Sequence, residues 1–168
     1  MWSVHHAPGA RASDAPGPDP YGESVRDQLH RAFSALDEAL DGLRPEDVNR
    51  DLGPGTNSLA ILVHHTIEAA RSILHDLAGD SLPRDREAAF RVADATVEDL
   101  RSMLAEWDVE MDRLLDLALA ADPSRLTARF REAPTAWWLL HAIGHTREHA
   151  AHAQLTRQLI DAAGPARG

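Results

Sequence analysis

Four long stretches of the chain repeat apolar residues every three or four positions, which is the pattern of an amphipathic α-helix. The pattern predicts helices over residues 23–43, 58–77, 96–121 and 136–163, each stopped by nearby Gly or Pro residues. The polar connection over 80–95 has room for a short helical turn, and 124–133 alternates like a short extended piece. Four long amphipathic helices predict an all-α protein built as a four-helix bundle.

The N-terminal residues differ in composition from the rest of the chain. Residues 1–20 are rich in Pro, Gly, Ala and Ser, so we expect a flexible or loosely docked tail before a bundle over 21–168. A signal peptide needs an apolar run of roughly 7–15 residues, and a membrane-spanning helix needs about 20. Neither run is visible in the sequence, so we expect a cytoplasmic protein that spans no membrane.

Composition excludes several classes of chemistry. The chain has no Cys, which excludes disulfides, thiolate metal sites and a cysteine nucleophile. All 17 basic residues are Arg, so a lysine Schiff base is excluded as well. The net charge of −10 argues against nucleic acid, whose phosphates need a basic face, and against anionic membranes. Any thiol chemistry would therefore use a thiol supplied by a small molecule.

Histidine is unusually frequent, with 10 in the chain, and the predicted last helix carries a row of them. The row consists of His141, His145, His149 and His152. At about 100° per residue all four lie on one stripe of the helix. Trp138, Leu155 and Leu159 share that stripe, so we expect it to face the core. Histidines at i and i+4 can bind one metal ion, and the alternatives are a polar core network or a surface stripe.

The third metal ligand should come from another helix, and the second one offers two adjacent histidines. Its apolar stripe centres near Leu59, Ile73 and Leu77 on a helical wheel. His65 lies at the shoulder of this stripe, whereas His64 points away from it. We therefore predict His65 as the inward candidate ligand and His64 as a solvated residue.

Two segments resemble motifs of the DinB-like superfamily. Residues 57–65, Asn-Ser-Leu-Ala-Ile-Leu-Val-His-His, resemble its second-helix motif, in which a metal-binding His follows a Ser by about seven residues. That spacing selects His65. Residues 145–149, His-Thr-Arg-Glu-His, resemble its closing His-x-x-x-His motif. The resemblance implies a four-helix bundle with a three-histidine metal site made of His65, His145 and His149.

The resemblance also implies a class of activity. The best-understood branch of the superfamily comprises S-transferases that depend on mycothiol, bacillithiol or glutathione, together with related maleylpyruvate isomerases. Several branches carry Gly soon after the last ligand, where this chain has Ala151, so the thiol stays open. We expect a divalent metal, with zinc first and nickel or iron as alternatives, because imidazole suits all three. The expected partners are a small thiol such as mycothiol and an electrophilic substrate, and the protein would be a monomer or homodimer.

Four further side chains receive predicted roles around the metal. His141 and His152 would orient a ligand or relay a proton, and Glu148 would assist them at the site, with a plain surface salt bridge as the alternative for Glu148. We place Trp138 at the cofactor-binding position, with core packing as the alternative.

Two other functions remain open. In a metal-dependent hydrolase the ion would activate water, and a carboxylate of the third helix would act as general base. The candidate bases are Glu106, Asp108, Glu110 and Asp112. The other alternative is a non-catalytic bundle that binds a metal, an apolar ligand or a partner.

Overall fold

The computed structural model describes residues 19–128 and 132–164, so almost all of the predicted tail lies outside the described residues. The elements in chain order are α1 (Pro20–Glu38), α2 (Leu59–Ala78), α3 (Arg86–Ala89), α4 (Val97–Ala120), β1 (Leu126–Ala128), β2 (Glu132–Pro134) and α5 (Thr135–Ala163). The four long helices confirm the predicted all-α four-helix bundle. The short helix α3 confirms the helical turn predicted between the second and third long helices.

Local sequence explains where most of the helices begin. Ser58 and Thr96 cap α2 and α4, and Thr96 forms a reciprocal capping box with Asp99. Asp19 caps α1 by accepting from the backbone N–H of Gly22, and Pro20 occupies the first turn. The first helix therefore begins a little earlier than its apolar pattern predicts.

The end of α1 differs more from the prediction. The helix stops at Glu38, and the chain continues in turns in which Gly42 has a φ of +63°. Ala39 and Leu40 are nevertheless buried, so the apolar periodicity runs on past the last helical hydrogen bonds. Apolar spacing reports which residues face the core, and it does not report whether the backbone between them is helical.

The predicted extended piece is a small hairpin. Strands β1 and β2 pair antiparallel, with Leu126 opposite Pro134 and Thr127 opposite Ala133. The backbone N–H of Thr135 donates to the carbonyl of Arg125, and the indole N–H of Trp138 donates to the carbonyl of Thr127. These bonds fasten the hairpin to the first turn of α5.

The bundle packs around one continuous apolar core. Helix α5 packs along both α1 and α2, α4 packs mainly along α2, and α1 meets α4 less extensively. The segment that carries α3 packs against α2. Within the described residues, no helix combines the length and apolar character needed to cross a membrane.

Candidate metal centre

Three histidines from two helices converge at the junction of α2 and α5. One ring nitrogen from each of His65, His145 and His149 lies within 4.8 Å of the other two. The ring centroids are 5.5 Å apart for His65 and His145, 4.9 Å for His65 and His149, and 4.4 Å for His145 and His149. His65 is buried and the other two are partly buried, so the group lies at the edge of the core.

Helix geometry and neighbouring hydroxyls place these rings. His145 and His149 are four residues apart on α5, so their side chains project side by side. Thr66 and Thr146, each next to one of the histidines, are buried and donate their hydroxyls to Leu62 and Ala142 of their own helices, at 2.6 and 2.8 Å. The polar neighbours are thus satisfied locally, and the imidazoles face one another.

The donor set fits a divalent ion. The Nε2 atoms of His145 and His149 are 3.2 Å apart. Two nitrogens at zinc–nitrogen distances of about 2.0–2.1 Å in a tetrahedral site would be separated by about 3.3 Å. The Nδ1 atoms of both rings are buried and have no hydrogen-bond partner within residues 19–128 and 132–164. The observation that favours a metal site over a polar core network is the approach of three ring nitrogens, one each from His65, His145 and His149.

Burial favours the neutral form of His145 and His149. It lowers the pKa of His145 to about 3, with further lowering by His149, His65, His141 and the Arg84 guanidinium. Burial also lowers the pKa of His149, helped by His152 and opposed by Glu148. Neutral imidazoles offer lone pairs, so protons compete little with a metal ion near neutral pH.

The lowered pKa predicts how the metal-free protein responds to acid. Below its usual pKa of about 6.5, the His145 side chain binds a proton in the unfolded chain but not in the fold. Stability should therefore fall as the pH decreases from about 7 towards 3. Urea unfolding of metal-free protein at several pH values measures this. His145→Gln, which has no titrating ring, should give a shallower decline, and the same decline in both proteins would contradict the assignment.

Comparisons with known proteins give the family. A family model described as mycothiol-S-transferase matches residues 24–162. The chain belongs to the mycothiol S-transferase family. A search of curated proteins finds no match.

Two solved structures share the fold of this family member. A conserved protein from Enterococcus faecalis is 20% identical, with a TM-score of 0.70 over 86% of this chain and 99% of that one. A DinB-like protein from Bacillus cereus is 15% identical, with a TM-score of 0.65 over 87% of this chain and 95% of that one. Together with the family match, these structures confirm the resemblance to DinB-like proteins.

The histidine row of this family member is only partly directed to the core. Leu155 and Leu159 are 53% and 46% exposed, so the expectation that the whole stripe faces the core is wrong at its C-terminal end. Between Leu139 and Ile160, the buried stripe of α5 consists instead of small residues, including Ala142, Thr146, Ala150 and Ala153. Small side chains let α5 approach α1 and α2 closely, and the histidines lie beside this stripe at the edge of the core.

The two outer histidines flank the three-histidine group on opposite sides. The His141 ring lies 6.0 Å from that of His145 and stacks on Trp137, with centroids 5.1 Å apart and an interplanar angle of 10°. The His152 ring lies 5.7 Å from that of His149, and His152 is exposed. The row thus runs from partly buried His141 through the group to the surface.

The other two predicted site residues have contrasting positions. Glu148 is exposed, on the turn of α5 between His145 and His149. Trp138 is fully buried and hydrogen-bonded to the hairpin, so its indole offers no surface to a cofactor. Its ring also makes an edge contact with that of His141, with centroids 5.6 Å apart.

The segment between α2 and α4 contributes residues that the sequence reasoning missed. The Phe90 ring lies 4.7 Å from that of His65, and the Arg84 guanidinium is close enough to His145 to lower its pKa. Both residues lie in the polar connection, which has no sustained periodicity. No signal in the sequence distinguishes them from other loop residues, because their position depends on how this segment packs against α2.

Proposed function

We propose that the protein is a metal-dependent S-transferase that joins a low-molecular-weight thiol to an electrophilic carbon. The observation that carries this proposal is the convergence of three histidines, His65, His145 and His149, in a chain of the mycothiol S-transferase family. We assign these histidines as ligands of a divalent ion, with zinc expected, and mycothiol as the thiol. The chain has no Cys and no Lys, so the nucleophile of this reaction is the imported thiol.

The residues around the group have complementary roles in this proposal. The three imidazoles would hold a divalent ion, and such an ion would lower the pKa of a thiol bound beside them. Sulfur then forms a bond to the electrophilic carbon, and the leaving group departs with its electron pair. We assign His141 and His152 to carry the thiol proton to solvent, since they extend the row on either side. Glu148, on the turn between the two α5 ligands, would place a negative charge near the cationic centre, and Trp138 would position His141 by packing.

The hydrolase alternative has less support because three of its candidate bases are engaged elsewhere. Glu110 accepts from Arg71 and lies 2.9 Å from the Nε2 atom of buried His75. Asp108 and Asp112 lie 2.9 and 3.0 Å from the two ring nitrogens of His30. These contacts join α4 to α1 and α2 and involve none of the three converging histidines.

A thiol panel tests the proposal. Zinc-loaded protein is mixed with an aryl halide and with mycothiol, bacillithiol or glutathione, and thioether formation is followed by mass spectrometry. We expect turnover that requires both metal and thiol, with kcat/KM at least about tenfold higher for mycothiol than for the other two. Release of halide without a thiol would indicate the hydrolase instead. Bound metal without turnover on any of several electrophiles would indicate a binding protein.

A further inference from the structure

A cavity beside the three-histidine group is not used by the roles assigned above. Its volume is about 420 Å³, and it lies between the loop that precedes α2, the first turn of α2 and the residues that follow α3. Its walls include Asn49, Thr56, Ile61, Phe90 and Ala93. The cavity is large enough for a sugar-sized ligand.

One wall of this cavity also contacts a proposed metal ligand. Phe90 lines the cavity, and its ring centroid is 4.7 Å from that of His65. Ile61, another wall residue, precedes His65 by four positions on α2, so both project from the same side of the helix. A ligand in the cavity would therefore be separated from the three-histidine group by the Phe90 ring.

The cavity walls mix polar and apolar side chains and carry no net charge. Asp51 and Arg91 have opposite charges, and each already has a partner: Asp51 accepts from the N–H of Gly53, and Arg91 pairs with Asp85 at 3.2 Å. Such walls favour a neutral ligand over an ionic one, since the two opposite charges cancel in the wall as a whole.

The walls also offer hydrogen-bonding groups. Asn49 donates its amide N–H to the carbonyl of Ala95 at 2.7 Å, which fixes the amide orientation. Thr56, an exposed wall residue, donates its hydroxyl to the carbonyl of Gly53 at 2.7 Å, and the hydroxyl oxygen keeps lone pairs that a ligand can use. At Gly53 and Gly55, which have φ of +123° and +83°, a Cβ atom would meet nothing within 4 Å, so their backbone faces open space. Short polar side chains and open backbone suit hydroxyl groups.

We propose that this cavity binds the hydroxyl-rich part of the thiol cosubstrate while the sulfur lies at the histidine group. Mycothiol has this arrangement: its N-acetylcysteine is attached to an uncharged sugar–inositol unit that carries many hydroxyl groups. The inference rests on the proposed function and adds to it the site that selects one thiol over another. Phe90 separates the two subsites and is the wall that both parts of the thiol would contact.

Filling the cavity tests this inference. Ala93 and Thr56 are exposed wall residues, so Ala93→Trp and Thr56→Trp should fold and occupy the space. We expect each variant to raise the KM for mycothiol at least about tenfold and to leave the KM for N-acetylcysteine unchanged, since that thiol lacks the sugar. The matched control is Ala105→Trp, at an exposed wall residue of a separate cavity of about 640 Å³ between α1 and α4. Ala105→Trp should leave the KM for both thiols unchanged.

A calorimetric titration keeps this test independent of turnover. The probe is N-acetylglucosaminyl-inositol, which carries no sulfur and no charge, and it is titrated into wild-type protein and Ala93→Trp. Binding to the wild type that is lost in Ala93→Trp supports the cavity even if no thiol is transferred. No binding to the wild type overturns it. The inference is also overturned if Ala93→Trp raises the KM for mycothiol and for N-acetylcysteine equally. It is overturned, too, if Ala93→Trp raises the KM for the electrophile and not for mycothiol.

Discussion

Replacing His65 with Ala should lower the affinity for zinc by more than about 100-fold, while replacing the adjacent His64 with Ala should leave it unchanged. Loss of residues that only support a metal ligand already costs about 10–100-fold, so loss of a ligand should cost more. His65 is buried within the three-histidine group, whereas His64 is only partly buried and lies outside it. His64→Ala is therefore a matched control for His65→Ala, because it removes the neighbouring histidine of the same helix.

The measurement is elemental analysis and competition with a chromogenic chelator. Wild-type protein and His64→Ala should each bind about one equivalent of zinc, and His65→Ala and the double variant His145→Ala/His149→Ala should bind almost none. Circular dichroism checks that the helices persist, as expected because none of the substituted histidines is a member of the apolar core cluster. Equal zinc loss in His64→Ala and His65→Ala would refute the ligand assignment. Stoichiometric zinc in the double variant would refute it too.

The fold was largely predictable because helix-forming signals in this chain agree at several levels. The apolar periodicity, the Ser58 and Thr96 caps and the Gly79 stop all indicate the same boundaries for α2 and α4. The exception is the end of α1, where Leu40 is buried from a turn and not from a helix. Burial pattern alone cannot separate those two cases.

The candidate site was predictable only where its geometry is local. The spacing of His145 and His149 places both rings on one side of α5 whatever surrounds it, and the wheel of α2 selects His65. The direction of the whole histidine row was less predictable. It depends on the neighbouring stripe of small residues, which brings α5 close to α1 and α2. Phe90 reaches His65 through tertiary packing, for which its own segment has no signal.

Trp107 is a large core side chain, and we expect its truncation to lower the stability of the protein strongly. Its side chain is fully buried on α4, in edge contact with the Phe33 ring at 5.8 Å. The Arg71 guanidinium lies 5.5 Å from the centre of its ring. Trp107→Ala should therefore lower the free energy of unfolding by about 3–5 kcal/mol, through lost burial and the cavity left behind.

Urea unfolding followed by circular dichroism measures this loss, with Val109→Ala as the control. Val109 lies two positions along the same helix and is 75% exposed, so its truncation should change stability by less than about 0.5 kcal/mol. Trp107→Phe should cost less than Trp107→Ala, because it keeps an aromatic ring against Phe33. Trp107→Phe also removes a buried indole N–H that has no acceptor among the described residues.

Equal losses of stability in Trp107→Ala and Val109→Ala would contradict the packing role of Trp107. Since α4 supplies none of the three histidines, folded Trp107→Phe should retain zinc, which separates loss of the fold from loss of the site.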